Sequence, residues 1–330
     1  MTDSLEDTGS PEDNGSLEAP GVLDDRGATS RRRLLTCSAW AGTGVVWAMV
    51  GGVPCAFALD ALPKGQTNYL FAQISDSHIG FTKEANPDPI KTLNEAKDKL
   101  RALPIQPSVI LHTGDITHLS RPEQFDTAAH LLGDLPAPVR YVPGEHDTLD
   151  EGAGKAYLER YGKGTKGDGW YSFDLGGVHF IGMVNVFGFE AGKEATLGAD
   201  QLAWLKDDLR AVSHSTPIVV FAHIPLWDIY EPWGWGTADA EAAIRMLRPY
   251  GSVTILNGHI HQIAQKVEGN ITFHTARGTA YPQPAPGAAP TPGPMTVPTE
   301  QLTSYLGISS ILVTKGAHAL AIHDTKLSDS

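Results

Sequence analysis

Short apolar runs alternate with amphipathic stretches along most of this chain. The runs predict buried strands, because they are bounded by Gly, Pro or polar residues and are rich in Val, Ile, Leu and Phe. Strands that alternate with helical stretches predict an α/β fold, and we see no internal repeat or domain boundary after residue 60. The predicted strands are residues 69–75, 109–111, 139–142, 170–175, 178–184, 218–221, 253–256, 271–275, 305–313 and 317–323.

The amphipathic stretches predict helices with recognisable ends. One begins at Asp88-Pro89, where an N-cap acid precedes a proline in the first turn, and it ends at Pro104. A second begins at Pro122 and ends at Gly133. Further helices are expected over 200–212 and 238–247, with a short helical piece near Tyr157.

Glycines and prolines mark the connections. Gly176-Gly177 predicts a hairpin, and Lys315-Gly316 predicts another near the end of the chain. Residues 281–300 carry many prolines and no packing pattern, so they predict an irregular loop. All of these connections fall within one predicted domain, residues 59–330.

Several apolar runs end in side chains that bind metal ions. The run Val109–Leu111 leads into Gly114-Asp115, which places one carboxylate in the loop after a buried strand. Open α/β sheets collect their chemistry at this edge, outside the carboxyl ends of the strands. Five such endings in series therefore predict a metal site built from strand ends. They contain Asp76-Ser77-His78, Asp115, Glu145-His146-Asp147, His223 and His259-Ile260-His261.

The types of donor limit the choice of metal. Carboxylates combined with imidazoles suit Zn, Mn, Fe, Co or Ni. Two such ions ~3.5–4 Å apart can clamp an in-line displacement, and a hydroxide between them supplies a nucleophile near neutral pH. A bridge needs one carboxylate that reaches both ions, and Asp115 stands alone after a central strand.

The same five segments, in this order, resemble the calcineurin-like metallophosphoesterase family. The likeness covers residues 69–275 and extends to the stretches 170–180 and 201–205. It implies a two-sheet β-sandwich flanked by helices, with two bound metal ions. It also implies that His146 is no ligand but donates to the transition state or the leaving oxygen; with Asp147 it forms the predicted catalytic pair. The implied ligands are Asp76, His78 and His261 for one ion, His223 and His259 for the other, and Asp115 as the bridge.

Glu145 departs from the family pattern, which has an Asn ligand of the second ion at this position. Glutamate can coordinate as well, but it adds a negative charge. Two divalent ions with Asp76, Asp115 and a bridging hydroxide carry one net positive charge, which Glu145 cancels. A neutral centre attracts a dianionic phosphomonoester less strongly. Three alternatives follow: a phosphodiester substrate, a trivalent ion, or a Glu145 that turns away.

His118 is the second departure. Protein Ser/Thr phosphatases of the family carry an Asp there that orients the catalytic histidine, followed by a phosphate-binding Arg. The next residue in this chain is Leu119, which disfavours a protein phosphatase. Purple acid phosphatases carry a Tyr ligand at this place, so an extra ligand role for His118 is a further alternative.

Four large aromatic side chains follow His223 in a loop that Gly and Pro interrupt. One interpretation makes them a wall for an apolar or aromatic leaving group. The other is a loop held to the body of the protein by its own aromatics. The sequence does not choose between the two. The four are Trp227, Tyr230, Trp233 and Trp235.

The first 58 residues differ in composition from the rest. Residues 1–29 are acidic and rich in Gly and Ser, and they predict a disordered segment. Residues 30–58 resemble a twin-arginine export signal: Arg31-Arg32 precedes a weakly apolar run that ends at Ala56-Phe57-Ala58. A membrane anchor is the alternative, but the run is shorter than the ~20 residues that a span needs. We therefore expect a periplasmic or extracellular protein that meets the membrane only during export.

Cysteine content and charge exclude several classes of protein. Cys37 and Cys55 both lie in the predicted signal, so the mature chain would have no disulfide and no thiolate ligand. Residues 59–330 hold 30 acidic and 21 basic side chains, a net charge near −9. Such a surface repels polyphosphate, so no nucleic acid is expected as a partner.

Together these patterns predict an exported, binuclear, metal-dependent phosphoesterase. Its substrate would be a small phosphodiester or phosphomonoester, cleaved by in-line attack of the bridging hydroxide. The alternative is a metal-binding protein on the same scaffold in which Glu145 has abolished hydrolysis, and the presence of His146 argues against it. Oligomeric state is not predicted. The remaining histidines, for which structural roles are expected, are His112, His130, His179, His214, His274, His318 and His323.

Overall fold

The computed structural model describes residues 68–314 and 320–328, together with the backbone of two short strands near the N-terminus. These strands, β1 (Val45–Val50) and β2 (Val53–Ala58), pair antiparallel. The predicted disordered segment 1–29, the Arg31-Arg32 pair and the predicted turn at Lys315-Gly316 lie outside the described residues. Among the helices that are described, none is long and apolar enough to span a bilayer.

The rest of the described chain forms a sequence of strands and helices close to the predicted one. The elements are β3 (Tyr69–Ile74), α1 (Pro89–Arg101), β4 (Ile110–His112), α2 (Pro122–Gly133), β5 (Val139–Tyr141), α3 (Lys155–Tyr161), β6 (Tyr171–Leu175), β7 (Val178–Gly182), α4 (Ala199–Asp208), β8 (Ile218–Phe221), α5 (Ala240–Leu247), β9 (Val253–Asn257), β10 (Gln265–Glu268), β11 (Ile271–Thr275), α6 (Leu302–Tyr305), β12 (Gly307–Val313) and β13 (Ala321–Lys326).

The strands form two mixed sheets. The five-stranded sheet has the order β13-β12-β3-β4-β5, in which β3, β4 and β5 run parallel. The six-stranded sheet has the order β10-β11-β9-β8-β7-β6, with a parallel core of β7, β8, β9 and β11 between antiparallel edge strands. The parallel strands end at the edge where the sequence places the metal-binding residues.

Alternation along the strands decides which side chains lie between the sheets. Phe71 and Leu111 of one sheet pack against Phe180 and Phe221 of the other, and the rings of Phe71 and Phe180 meet edge-to-face at 5.1 Å. Each such ring or branched chain contributes about 1.5–3 kcal/mol of hydrophobic stabilisation when fully buried.

The outer faces of the sheets are covered by helices. Ile74 and Ile110 point outward from the five-stranded sheet and pack with residues of α1 and α2, such as Leu93 and Phe125. The outward face of the six-stranded sheet is covered in the same way by α4 and α5. The prediction of a single α/β domain made of a two-sheet sandwich flanked by helices is confirmed.

Local signals account for most element boundaries. Asp88 caps α1, since its side chain accepts a hydrogen bond from the Lys91 N–H at 3.0 Å, an interaction that typically contributes about 1 kcal/mol. Gly176 and Gly177 form the hairpin turn with φ values of 59° and 83°. The strand β10 was not predicted, because its residues are mostly exposed and polar and its pairing with β11 holds it in place.

A histidine between two carboxylates ties the β6–β7 hairpin to α4. His179 Nδ1 lies 2.8 Å from Asp174 Oδ1, and Nε2 lies 2.9 Å from Asp208 Oδ2. Burial lowers the pKa of His179, but the hydrogen bonds and charges of Asp208 and Asp174 outweigh it and raise the pKa above its ordinary value. The ring therefore keeps its positive charge to a higher pH than a free histidine does.

We expect His179→Gln to lower the free energy of unfolding by about 1.5–3 kcal/mol near pH 5.5, the size of a charge-assisted hydrogen bond. The loss should be smaller near pH 9. A charged ring stabilises fully below the unfolded-state pKa, and its contribution disappears as the pH rises through the higher folded-state pKa. Urea unfolding at both pH values measures the difference, with His130→Gln on the exposed face of α2 as control. An equal loss at both pH values would contradict a charged His179.

Candidate metal centre

Five strand ends converge at one edge of the sandwich. Asp76 and His78 follow β3, Asp115 follows β4, and Glu145 follows β5, so one sheet supplies these four. The other sheet supplies His223 after β8, and His259 and His261 after β9. The structure therefore brings all seven sequence-predicted ligands together, although six of them are no more than 6% exposed and only Glu145 is partly open, at 21% of its side chain.

The backbone at the ligands is held in an unusual conformation. Among the described residues, seven other than glycine have a positive φ, and five of these seven are predicted ligands. Left-handed backbone costs a non-glycine residue about 1–3 kcal/mol and persists where the surrounding structure requires it. The five angles are 53° at Asp76, 39° at His78, 52° at Asp115, 68° at His259 and 51° at His261.

Glycines allow the loops to approach one another this closely. A Cβ on Gly144 would lie 2.0 Å from Asp115 Oδ1, and one on Gly258 would lie 2.0 Å from Ser75 Oγ. Neither position has room for a side chain. A glycine is therefore sterically required directly before Glu145 and directly before His259.

The first group of donors is Asp76, His78 and His261. His261 Nε2 lies 3.2 Å from Asp76 Oδ1 and 3.3 Å from His78 Nε2. His261 Nδ1 donates to the Tyr281 carbonyl at 2.6 Å, so its Nε2 lone pair points at the group. Such a hydrogen bond on the far nitrogen is the usual support of a metal-binding histidine.

The second group is Glu145, His223 and His259. Glu145 Oε2 lies 2.8 Å from His223 Nε2, and Oε1 lies 3.0 Å from His259 Nδ1. His223 Nδ1 donates to the Thr113 carbonyl at 2.7 Å, which again leaves Nε2 for the site. Glu145 faces its two partners and does not turn away.

Asp115 lies between the two groups. Its Oδ2 is 3.3 Å from His78 Nε2 in the first group and 3.6 Å from His223 Nε2 in the second. Its Oδ1 accepts a hydrogen bond from the backbone N–H of His146 at 2.9 Å. This is the position that a bridging carboxylate requires.

The residues fit metal ions because several of their buried polar atoms make no hydrogen bond of suitable geometry, even where a neighbour is close, as at Glu145 Oε2 and His223 Nε2. A buried polar atom without a partner costs about 1–3 kcal/mol, so such atoms are rare unless a ligand satisfies them. These atoms belong to the two donor groups, and their nitrogen and oxygen types suit Zn, Mn, Fe, Co or Ni. They are Asp76 Oδ2, Glu145 Oε2, His223 Nε2, and both ring nitrogens of His259.

The pKa values of the three carboxylates are also shifted strongly, by burial and by their neighbours. Burial raises the pKa of Asp76, but His261 and His223 outweigh this effect and lower the pKa to about 2. Burial likewise opposes the shift at Glu145, where His259 and His223 hold the pKa well below its ordinary value. Burial and then the charge of Glu145 hold the pKa of Asp115 well above its ordinary range. Three carboxylates share this buried space, and cations would relieve their mutual repulsion.

His146 lies beside the donor groups and is oriented by backbone atoms. Its Nδ1 donates to the His118 carbonyl at 2.7 Å, which leaves Nε2 free. The His146 ring stacks on the His118 ring at 4.8 Å and meets His78 edge-on at 4.8 Å. Ser120 donates its hydroxyl to the His146 carbonyl at 2.8 Å and fixes the turn. The orienting acceptor is thus a neutral carbonyl, where a carboxylate would serve in the protein phosphatase pattern.

His118, besides stacking on His146, lies next to His78 of the first donor group. Its Nδ1 lies 3.4 Å from His78 Nδ1, on the far side of that ring from Asp115. Burial, followed by His146, lowers the pKa of His118 to about 4, so the ring is neutral near pH 7. One donor atom each from His78, His118 and His146 lies within 4.8 Å of the others.

Asp147 is placed differently from His146. It is fully buried, and its carboxylate accepts the backbone N–H groups of Ile116 at 3.0 Å, Thr117 at 2.8 Å and Gly144 at 3.0 Å. The Thr117 hydroxyl supplies a fourth hydrogen bond at 3.0 Å. Asp147 therefore joins the loops after β4 and β5.

The aromatic loop after His223 is anchored to the protein body. Trp233 and Trp235 are buried in one cluster with Ile260, and the two indole rings meet edge-to-face at 4.9 Å. Trp227 contacts Phe273 at 5.2 Å. This packing is that of the second interpretation, a loop held by its own aromatics.

Two aromatic residues near the donors were not singled out from the sequence. Tyr281, the first residue of the proline-rich loop, places its hydroxyl 3.0 Å from His78 Nε2. Phe189 meets the ring of His259 edge-to-face at 6.0 Å. Tyr281 follows β11 by six residues, at the same sheet edge as the predicted ligands.

Three of the histidines predicted to be structural have such roles in the described structure. His112 Nε2 donates to Ser77 Oγ at 3.0 Å, and its Nδ1 accepts from the Gly114 N–H at 3.3 Å. His179 pairs with its two carboxylates, and His274 Nε2 lies 3.0 Å from Asp324 Oδ1. His318 lies outside the described residues.

Sequence comparison agrees with this geometry. The sequence profile of the family described as calcineurin-like phosphoesterase matches residues 69–263. The chain belongs to this family. The family typically binds a dimetal centre, and the Asp, Glu and His groups above could hold the ions.

Named relatives include both diesterases and phosphatases. A 3′,5′-cyclic-nucleotide phosphodiesterase of Nostoc sp. strain PCC 7120 is 24% identical over 225 residues, which cover 64% of this chain and 78% of that protein. The serine/threonine-protein phosphatase CPPED1 of Mus musculus is 26% identical and is matched over 63% of this chain and 74% of its own length. These similarities make this calcineurin-like phosphoesterase a metal-dependent phosphoric ester hydrolase.

The fold has solved counterparts. A dimetal phosphatase from Danio rerio superposes with a TM-score of 0.54 at 15% identity, and the match covers 79% of this chain and 99% of that one. At this identity the likeness concerns the fold alone.

Proposed function

We propose that this calcineurin-like phosphoesterase hydrolyses phosphodiesters in preference to phosphomonoesters, at a centre of two metal ions. The observation that carries the proposal is Glu145, whose two oxygens lie 2.8 Å from His223 and 3.0 Å from His259. A carboxylate so placed is a ligand of the second ion, in the position where the family pattern has a neutral Asn.

The first ion would be held by Asp76, His78 and His261, the second by Glu145, His223 and His259, with Asp115 shared between them. When bound, the two ions would polarise the phosphoryl oxygens and lower the pKa of the attacking water. Together with the attacking hydroxide, Asp76, Asp115 and Glu145 would neutralise the four charges of two divalent ions. A neutral centre lacks the extra attraction for a dianionic monoester that a positive centre has, and this favours a monoanionic diester.

His146 would act on the leaving group. Its Nδ1–H is held by the His118 carbonyl, so a second proton on Nε2 can be donated to the departing oxygen. Asp147 would be a positioning residue, because its carboxylate is saturated by three backbone N–H groups and one hydroxyl. It sets the place of the His146 turn and of the Asp115 loop.

The Nostoc relative supports the diester assignment, since it is named a 3′,5′-cyclic-nucleotide phosphodiesterase. Cyclic nucleotides are monoanionic diesters, as the charge of the centre favours. The mouse relative is named a protein phosphatase, so a monoester substrate is the comparison to include in any assay.

The test is a screen of bis(p-nitrophenyl) phosphate, p-nitrophenyl phosphate and 3′,5′-cyclic AMP, with Mn, Fe, Zn, Co or Ni added. We expect kcat/KM for the aryl diester to exceed that for the aryl monoester with the best metal. A preference for the monoester would overturn the assignment. Asp115→Asn is the control, since loss of the shared ligand should lower both metal content and activity. No turnover by the fully loaded protein would favour the non-catalytic metal-binding alternative.

We also propose that the protein is exported by the twin-arginine route. The supporting features are Arg31-Arg32, the mild apolar run and the Ala56-Phe57-Ala58 site. Replacing Arg31 and Arg32 together by lysine is expected to hold the precursor in the cytoplasm, and the wild-type chain should be cleaved after Ala58. Cell fractionation and N-terminal sequencing measure both results. Normal export of the double variant would indicate the general secretory route instead.

A further inference from the structure

The hydroxyl of Tyr281 lies among the donor atoms of the first group. Its oxygen is 3.0 Å from His78 Nε2, the ring nitrogen that also faces His261 and Asp115. Tyr281 is 4% exposed, so water has little access to it. A buried hydroxyl at this place needs a partner within the site.

The oxygen is fixed in position. The Tyr281 ring stacks on His78 at 4.7 Å, lies tilted against His261 at 4.7 Å, and contacts Phe81 at 4.4 Å. A phenol oxygen lies on the axis about which its ring turns, so rotation of the ring would not move it. The oxygen can leave only if the side chain adopts another χ1 rotamer, which the packed rings oppose, or if the backbone moves.

The backbone is also held. The N–H of Thr279 donates to the Ser75 carbonyl at 3.0 Å, and the N–H of Ala280 donates to the Asp76 carbonyl at 3.1 Å. The Tyr281 carbonyl in turn accepts from His261 Nδ1. The loop that carries the phenol is thus attached to the segments that carry two of the ligands.

The spacing of the donor atoms is that of one coordination shell. Two ligands bound at ~2.1 Å to one ion, at angles between octahedral and tetrahedral, lie ~3.0–3.4 Å apart. His261 Nε2 lies 3.2 Å from Asp76 Oδ1 and 3.3 Å from His78 Nε2. The distance of 3.0 Å between the Tyr281 oxygen and His78 Nε2 falls within the same range.

The His78 lone pair cannot serve two partners. Without an ion, Nε2 can accept the Tyr281 hydroxyl hydrogen. When an ion takes this lone pair, the phenol loses its acceptor in a place where it cannot turn away or reach water. Coordination of the phenol oxygen removes that cost.

We propose that Tyr281 is a further ligand of the ion held by Asp76, His78 and His261. On binding, the O–H bond breaks, the proton passes to a water molecule released from the incoming ion, and the oxygen keeps the electron pair that it shares with the metal. This ligand adds a negative charge, so it favours a trivalent ion such as iron(III) at this site. The inference rests on the proposed binuclear centre.

The first test is the colour of the iron-loaded protein. Iron(III) bound to a phenolate has a charge-transfer absorption band in the visible range, which carboxylate and imidazole ligands alone do not produce. We expect the wild-type chain loaded with iron(III) to show this band and Tyr281→Phe to lack it. Tyr250→Phe is the matched control, since Tyr250 is 5% exposed and its hydroxyl donates to the Leu209 carbonyl at 2.7 Å, outside the donor groups. A colourless wild type with iron bound, or a band that persists in Tyr281→Phe, overturns the assignment.

The second test is metal affinity, measured by zinc titration. Tyr281→Phe should bind one ion about 10–100-fold more weakly and the other unchanged, the range seen when a supporting group of a metal site is lost. Tyr250→Phe should bind both as the wild type does. A wild type that binds no ions overturns the binuclear centre itself. A Tyr281→Phe variant that binds two ions with wild-type affinity overturns only the role of Tyr281.

Discussion

Replacing His146 by alanine is expected to lower kcat about 10²–10⁴-fold while the protein keeps close to its full complement of metal. This range is typical for loss of a general acid or base. His146 contributes no predicted ligand atom, since its Nδ1 is engaged by the His118 carbonyl and its backbone N–H binds Asp115 Oδ1. Kinetics with the aryl diester and metal analysis of the same sample measure both quantities.

A control variant and a comparison of leaving groups test this prediction more strictly. His130→Ala, on the exposed side of α2, is a control for the loss of an imidazole as such and should leave kcat unchanged. Because a proton donor acts on the leaving group, substrates with better leaving groups should suffer less from the loss of His146. An empty metal site in His146→Ala would show that this residue is a ligand, contrary to its assigned role.

Replacing Glu145 by asparagine is expected to raise the monoester-to-diester ratio of kcat/KM. The amide keeps a coordinating oxygen but restores one unit of positive charge to the centre. One extra charge at ~4 Å is worth about 1–4 kcal/mol, between water-like and surface-like dielectrics. The additional attraction is greater for a dianion than for a monoanion, and each ~1.4 kcal/mol of the difference changes the ratio tenfold.

Metal affinity must be separated from this effect. A neutral oxygen binds a cation more weakly than a carboxylate, so the second site of Glu145→Asn should need more metal. The assay is therefore made at saturating metal, with both sites shown to be full. Glu159→Asn removes an exposed carboxylate from α3 and serves as the matched control. An unchanged ratio with both sites full would mean that Glu145 does not set the charge preference.

The fold and the ligand set could be predicted because their signals are local. Each predicted ligand stands directly after a short apolar run, and the edge of a parallel sheet brings such positions together without further information. Asp115 and His223, for example, are separated by more than a hundred residues, yet each needs only its own strand to be placed. The capping of α1 by Asp88 is a similarly local signal.

The position of Tyr281 beside the ligands could not be predicted from local sequence signals. The residue lies six residues beyond β11, and its position depends on hydrogen bonds from Thr279 and Ala280 to the segment after β3. No pattern within the proline-rich loop encodes those contacts. The aromatic loop after His223 is a comparable case, because burial of Trp235 depends on Ile260 in another loop.

The ligands come from both sheets, and this has a mechanical consequence. Between the sheets near the site, Gln73 joins Thr113 of one sheet to the Asn257 carbonyl of the other, at 3.0 and 3.1 Å. An ion held by Asp76 and His261 would fasten the same two layers a second time. Anything that binds the folded but not the unfolded chain stabilises it by RT ln(1 + [L]/Kd). The concentration of available metal would thus determine how strongly the two sheets are held together, as well as whether the enzyme is active.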